Sequence, residues 1–201
     1  MIERVRPSAA LLDVLPRASR SQSTAWGERT FSLALAGSGA PQGVTQSAEN
    51  DVRALATWLL ALDHVLCADS VGIALRSAWL ALNVDRKLTI AAWTDVVREA
   101  LSGPLADIPP DAEISWGAEQ DAPSQVCVAS GLTGDDRLVV RFRTSKVSEE
   151  GAGILAALWS VASKSCPQSV IEDIAWHEAT GTSVNRDENW SRTEPRDVPS
   201  C

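Results

Sequence analysis

The chain has 201 residues, a formal net charge of −8 and a pI near 4.8. With 45% hydrophobic and 22% charged residues it carries enough apolar surface for a core, which excludes wholesale disorder, while its acidic balance argues against general binding to a phosphate backbone. No apolar run approaches the roughly 20 residues of a bilayer span, and the short apolar stretch near the start is interrupted by Asp13 and ended by Pro16, which argues against a secretory leader.

Residues 1–27, mixed and rich in Ser and Arg, read as an irregular N-terminal arm. Residues 28–36 alternate, with Phe31, Leu33 and Leu35 on one side, which predicts a half-buried strand. Gly37, Gly39, Pro41 and Gly43 mark a loop. Residues 47–67 then show Val52, Leu55, Leu59, Leu62 and Leu66 at helical spacing, with Ser47 as N-cap and Glu49 and Asp51 in the first turn. Val71, Leu75, Ala78, Trp79 and Leu82 continue that spacing and suggest a second helical segment; Gly72 weakens it, and a strand over 71–75 is the alternative. A further helix is expected over 90–101, capped by Thr89 and stopped by Gly103 and Pro104, with Leu88 packing on Trp93 as a hydrophobic staple.

Pro109 and Pro110 precede a short strand over 113–116. Residues 125–130 and 137–144 form a predicted hairpin, in which Leu138, Val140 and Phe142 share one face and Arg141 and Arg143 the other. Ser148 caps a helix that opens with Glu149 and Glu150, presents Ile154, Leu155, Leu158, Trp159 and Val161, and ends at Cys166 before Pro167. Residues 170–176 are a closing strand or a short helix, and 179–201 a polar, flexible tail. This order predicts an α+β fold: a single domain over 28–178 with a mainly antiparallel sheet and three to four helices packed on one face.

The search for chemistry yields no catalytic set. Zinc sites need three or four protein ligands, and His64 with Cys67, three apart on one helix, have no second pair to complete one. Cys166 and His177 are a candidate thiol–imidazole pair, but a helix C-terminus raises a thiol pKa, which favours an ordinary core cysteine. Asp135–Asp136 and Glu149–Glu150 are sequence neighbours that do not face each other. No Walker loop, dinucleotide fingerprint or nucleophile elbow is present, and no cofactor or metal is predicted. Arg137, Arg141 and Arg143 lack an aromatic on their own face for stacking bases. Trp58, Trp79, Trp93 and Trp159 fall on apolar helical faces and read as core.

One charge pattern stands out. From Glu99 to Asp136 there are eight acids and no Lys or Arg. Within it Asp111, Glu113, Trp116, Glu119, Asp121, Asp135 and Asp136 are the predicted partner-binding residues, joined by Trp190, an isolated aromatic in the polar tail. Four scattered cysteines without a C-x-x-C pair, and 15 Arg against 3 Lys, suggest reduced thiols in a bacterial cytoplasmic protein. These features predict a non-enzymatic protein that docks a basic protein partner, as an inhibitor, an immunity protein or a secretion-system adaptor, with no nucleic-acid or membrane partner. The alternatives are a Cys/His-dependent hydrolase or transferase, and a structural subunit of a phage- or secretion-related assembly.

Overall fold

The computed structural model describes residues 26–32, 44–67, 70–117, 126–129, 137–144 and 146–181. The expected N-terminal arm up to residue 25, the Gly-rich segment before residue 44 and the tail from residue 182 lie outside them. The described elements run β1 (Trp26–Ser32), α1 (Val44–Leu66), β2 (Val71–Leu75), β3 (Ala78–Leu82), α2 (Ile90–Ser102), β4 (Ile114–Trp116), β5 (Val126–Ala129), β6 (Arg137–Arg143) and α3 (Glu149–Lys164), followed by 3-10 turns at Ile171–Asp173 and Trp176–Gly181.

The fold is α+β, and the described residues form three α-helices and a six-stranded sheet of order β1-β6-β5-β4-β2-β3. The sheet is mixed rather than mainly antiparallel. β1–β6, β5–β6 and β2–β3 run antiparallel, but β2–β4 and β4–β5 run parallel. A parallel pair requires a long crossover, and the segment holding β3 and α2 supplies it between β2 and β4.

Two local expectations are corrected as well. Residues 71–82 are a hairpin rather than a helix, with the alternative strand over 71–75 present: Leu75 pairs with Ala78 across a two-residue turn. Among the described non-glycine residues only Cys67 has a positive φ, so this turn uses none of the left-handed residues that announce a hairpin in sequence. Helix α1 begins at Val44, so Ser47 lies inside it rather than capping it, and its first turn holds no acid. The other two helices start as expected. Thr89 Oγ1 accepts the Ala92 N–H at 3.2 Å, and Ser148 Oγ accepts the Gly151 N–H at 3.1 Å. Each bond satisfies a donor that the helix itself leaves open.

Strand register sorts the sheet into two faces. On one, Leu80, Val71, Ile73, Ile114, Val126, Val128, Val140 and Phe142 stand side by side, and all are buried in a single cluster with the helices. On the other, Gly72, Ala74, Ser115 and Cys127 form a row of small residues between Trp79 at one side and Arg141, Arg143 and Trp26 at the other. Ala74, Ser115 and Cys127 in that row are only 4%, 5% and 4% exposed. Smallness is required at Gly72: a Cβ there would sit 2.1 Å from Trp79 Cζ2.

Helix α1 is the centre of the core. Ala54 to Leu62 is buried without a break, including the hydroxyl of Thr57. Two indoles reach its backbone from opposite neighbours. Trp93 Nε1 on α2 donates to Ala56 O at 3.0 Å, and Trp159 Nε1 on α3 donates to Ala54 O at 3.1 Å and Thr57 Oγ1 at 3.0 Å. Thr57 in turn donates to the Arg53 or Ala54 carbonyl, so the buried hydroxyl is fully used. Trp58 packs edge-on against Trp159, with centroids 4.9 Å apart, and among the described residues its own Nε1 has no hydrogen-bond acceptor. Burying an indole removes about 150–250 Å² of surface, an upper estimate of roughly 4–6 kcal/mol each.

Two outcomes follow for urea denaturation. Trp58→Phe is expected to cost at least about 1 kcal/mol less than Trp93→Phe or Trp159→Phe, because it alone breaks no hydrogen bond; a Trp58→Phe variant that is the least stable of the three would contradict this account. Gly72→Ala is expected to lose about 1–3 kcal/mol through overpacking, and most of that loss should vanish in a Trp79→Leu background. Additive costs would show that the indole is not what occupies the space.

Candidate functional site

Buried or half-buried ionisable groups with displaced pKa values are the natural place to look for function. Among the described residues all of them lie on α1. Burial pushes the Asp51 and Asp63 carboxyls up and the Arg53 guanidinium down, and it lowers His64, with the Arg86 charge lowering it further. Asp63 and His64 sit together in the last two turns of the helix.

Asp63 interrupts the apolar stripe of α1, and its side chain is only 8% exposed. Arg86, in the segment between β3 and α2, meets it with Nη2 at 3.1 Å and Nε at 3.2 Å from the same carboxylate oxygen. His64 stacks on Trp176 of the last 3-10 turn, with centroids 4.4 Å apart and planes inclined by 15°. Glu172 N donates to Arg86 O at 3.0 Å and Ile171 N to Leu88 O at 2.9 Å. The C-terminal strap is thus bonded to the very segment that carries Arg86. Through Asp63 and His64, Arg86 and Trp176 tie two distant pieces of chain to the end of α1.

Chemically, this arrangement restrains its groups. Arg86 occupies one oxygen of Asp63, and the lowered pKa keeps the imidazole neutral at pH 7 and makes it a weak proton acceptor. Arg53 is similarly engaged, with Nη2 donating to Ser165 O at 3.2 Å, and it lies close enough to Cys166 to feel its charge. Cys166 is exposed just beyond α3, and His177 is exposed in the last 3-10 turn. Cys67 is exposed, with its Sγ 3.5 Å from His64 O. Among the described residues no three His, Cys, Asp or Glu side chains gather as a metal site, and no helix is long and apolar enough to cross a membrane.

Of the predicted partner-binding residues, Asp111 is exposed and Glu113 half-buried in the approach to β4. Trp116 is half-buried on the helix side of the sheet, its ring edge-on to Trp159 at 5.8 Å, so it is engaged with the core. Glu119, Asp121, Asp135, Asp136 and Trp190 lie outside the described residues. On the second sheet face, Arg141 pairs with Glu28 at 2.9 Å and Arg143 lies over the Trp26 ring at 4.4 Å. Trp26 of β1 thus supplies on this face the aromatic that the hairpin itself lacks, and its ring is taken up by Arg143. Sequence reasoning weighed His64 only as a metal ligand and passed over Asp63, Arg86 and Trp176. The available signal was Asp63 itself, a charge set between Leu59, Leu62 and Leu66 on an apolar helical face.

Comparison with known proteins places the fold. No family model and no curated protein matches the chain. Among solved structures, the starter condensation domain of rhizomide synthetase RzmA superposes with a TM-score of 0.56 at 8% identity, over 81% of this chain and 49% of that one. AB3403, a four-domain nonribosomal peptide synthetase, matches with 0.54 at 13% identity over 78% of this chain and 18% of that one. The condensation domain of the Monacolin K polyketide synthase MokA matches with 0.51 at 15% identity over 85% and 55%. The chain spans about half the length of the two condensation-domain structures. At these identities the likeness is one of fold. It corrects the expectation of an inhibitor, immunity protein or secretion-system adaptor, since the neighbours are condensation domains and a synthetase.

The His64 cluster makes stability depend on pH with a definite sign. The unfolded imidazole titrates near 6.5 and the folded one lower, so the unfolded chain takes up the proton first. Stability is full above 6.5 and is lost as pH falls toward the folded value. Asp63, shifted up from 3.8, acts in the opposite sense, because the folded carboxyl takes up its proton before the unfolded one. Urea midpoints at pH 7.5 and 5.5 are expected to drop for the native chain and to drop less for His64→Phe, which keeps a ring on Trp176. Equal drops in the two proteins would rule out His64 as the source.

Proposed function

We propose that the chain is a condensation-type lobe of a biosynthetic assembly line that makes peptide or polyketide products, and that it holds and positions components rather than supplying the reacting groups. The observation that carries this reading is the likeness of fold over 78–85% of the chain to synthetase condensation domains, each matched over about half its own length or less. The state of the ionisable groups supports the positioning role. Asp63 is held by Arg86, His64 is stacked and kept neutral, Glu28 is paired with Arg141, and Glu149 with Arg29 at 2.8 Å. Groups committed to partners in this way stiffen a scaffold and are poor proton carriers.

The test is genetic and chemical. The gene is deleted in the organism that encodes it, grown where the intact chain is detected, and the extracts are compared by mass spectrometry. At least one peptide- or polyketide-class product is expected to fall about tenfold or more and to return when the native chain is supplied. Restoration by His64→Phe would support positioning, and failure of a folded His64→Phe protein to restore it would assign His64 a chemical role instead. An unchanged product profile in the deletion strain would overturn the assembly-line reading.

A further inference from the structure

A second feature lies apart from the Asp63–His64 cluster. After α3 ends at Lys164 the chain turns at Pro167, runs through the strap that bonds to residues 86–91, and returns along the outer side of α3 as the last 3-10 turn. Between α3 and the returning segment is a cleft of about 530 Å³. Both walls are fixed. Ser169 O accepts from Ile90 N at 3.0 Å, Pro167 O from Ala91 N at 2.8 Å, and Ile174, only 6% exposed, anchors the return in the core. A cleft with such walls is already formed before a ligand arrives and costs little to order.

Its lining is dipolar. Ala157, Val161 and Ile174 provide an apolar floor, and among the described residues Lys164 is the lining cation and Asp173 and Glu178 are the anions. All three charged side chains are exposed, and neither carboxylate pairs with Lys164 or with any other described residue. Opposite charges that line one cleft without neutralising each other suit a ligand carrying both signs at its ends and an apolar middle. A single small anion would meet two carboxylates, and a purely apolar ligand would leave three charges to be desolvated without partners.

We propose that this cleft binds a short apolar peptide with free termini, its carboxylate at Lys164 and its ammonium at Asp173 and Glu178. A peptide as ligand rests on the assembly-line reading, whereas the charge layout does not. The volume falls within the range of small-molecule sites and suits a chain of two or three small residues.

The experiment is calorimetric titration of the full chain with trialanine and with N-acetyl-trialanine amide, which lacks both end charges. Trialanine is expected to bind saturably and at least about tenfold more tightly than the capped form, or about 1.4 kcal/mol. Lys164→Gln and Asp173→Asn, both exposed and therefore compatible with folding, are each expected to weaken trialanine about fivefold or more. Ala157→Trp is expected to fill the floor and abolish binding with all charges intact. Equal affinity for the two peptides, absence of saturable binding at millimolar trialanine, or unchanged binding by the Lys164 and Asp173 variants would each overturn the proposal. The titration needs no other assembly component. Trialanine binding in a protein whose deletion leaves the products unchanged would therefore retain the cleft and discard the assembly-line role.

Discussion

The structure depends on hydrogen bonds that helices ordinarily do not accept. Carbonyls inside α1 already serve the ladder of their own helix, yet Ala54 and Ala56 each take a second donor, an indole N–H from a neighbouring helix. A carbonyl has two lone pairs, so the second bond is available wherever the helix surface is small enough for another residue to approach. Alanines at 54 and 56, with Thr57 beside them, provide that access. The consequence is orientational. Apolar contact alone would let α2 and α3 slide along α1, whereas a directional bond from each fixes where they sit. With both helices set, the positions of the strands beneath them and of the strap beyond α3 follow.

That arrangement also explains why Trp58 is tolerated with an unsatisfied donor. It lies at the contact of α1 and α3, edge-on to Trp159, where the ring of a neighbour is a weak acceptor at best. The cost of one unmet N–H is outweighed by the area that Trp58 and Trp116, both packed edge-on against Trp159, remove from water together with it.

Much of the local structure was legible because it is locally encoded. Thr89 and Ser148 announce their helices, Gly103 and Pro167 end them, and the alternation through Val140 and Phe142 marks β6. The hairpin over 71–82 stays ambiguous between helix and strand in the sequence because both its faces carry apolar residues. Val71, Leu75, Ala78 and Leu82 then fit a helical period as well as they fit two strands, and the turn between them needs no Gly or Asn. Strand order and the two parallel pairings are non-local and leave no mark in any single segment. The same holds for the polar cluster. His64 meets Trp176, and Asp63 meets Arg86, only once the hairpin, α2 and the strap are in place. Here a stripe of leucines interrupted by one aspartate was the sole trace of it.

The pairing of β1 with β6 has a consequence for synthesis. Trp26 lies opposite Arg143 and Glu28 opposite Arg141, so among the described strands the earliest in sequence pairs with the latest. Helix α1 emerges next, with Leu55, Trp58, Leu59 and Leu62 destined for full burial, while the helix that covers them, α3, follows β6. During synthesis β1 therefore stays unpaired until β6 is made, and α1 lacks its α3 cover until later still, a topology that favours slow, late and concerted closure over stepwise folding.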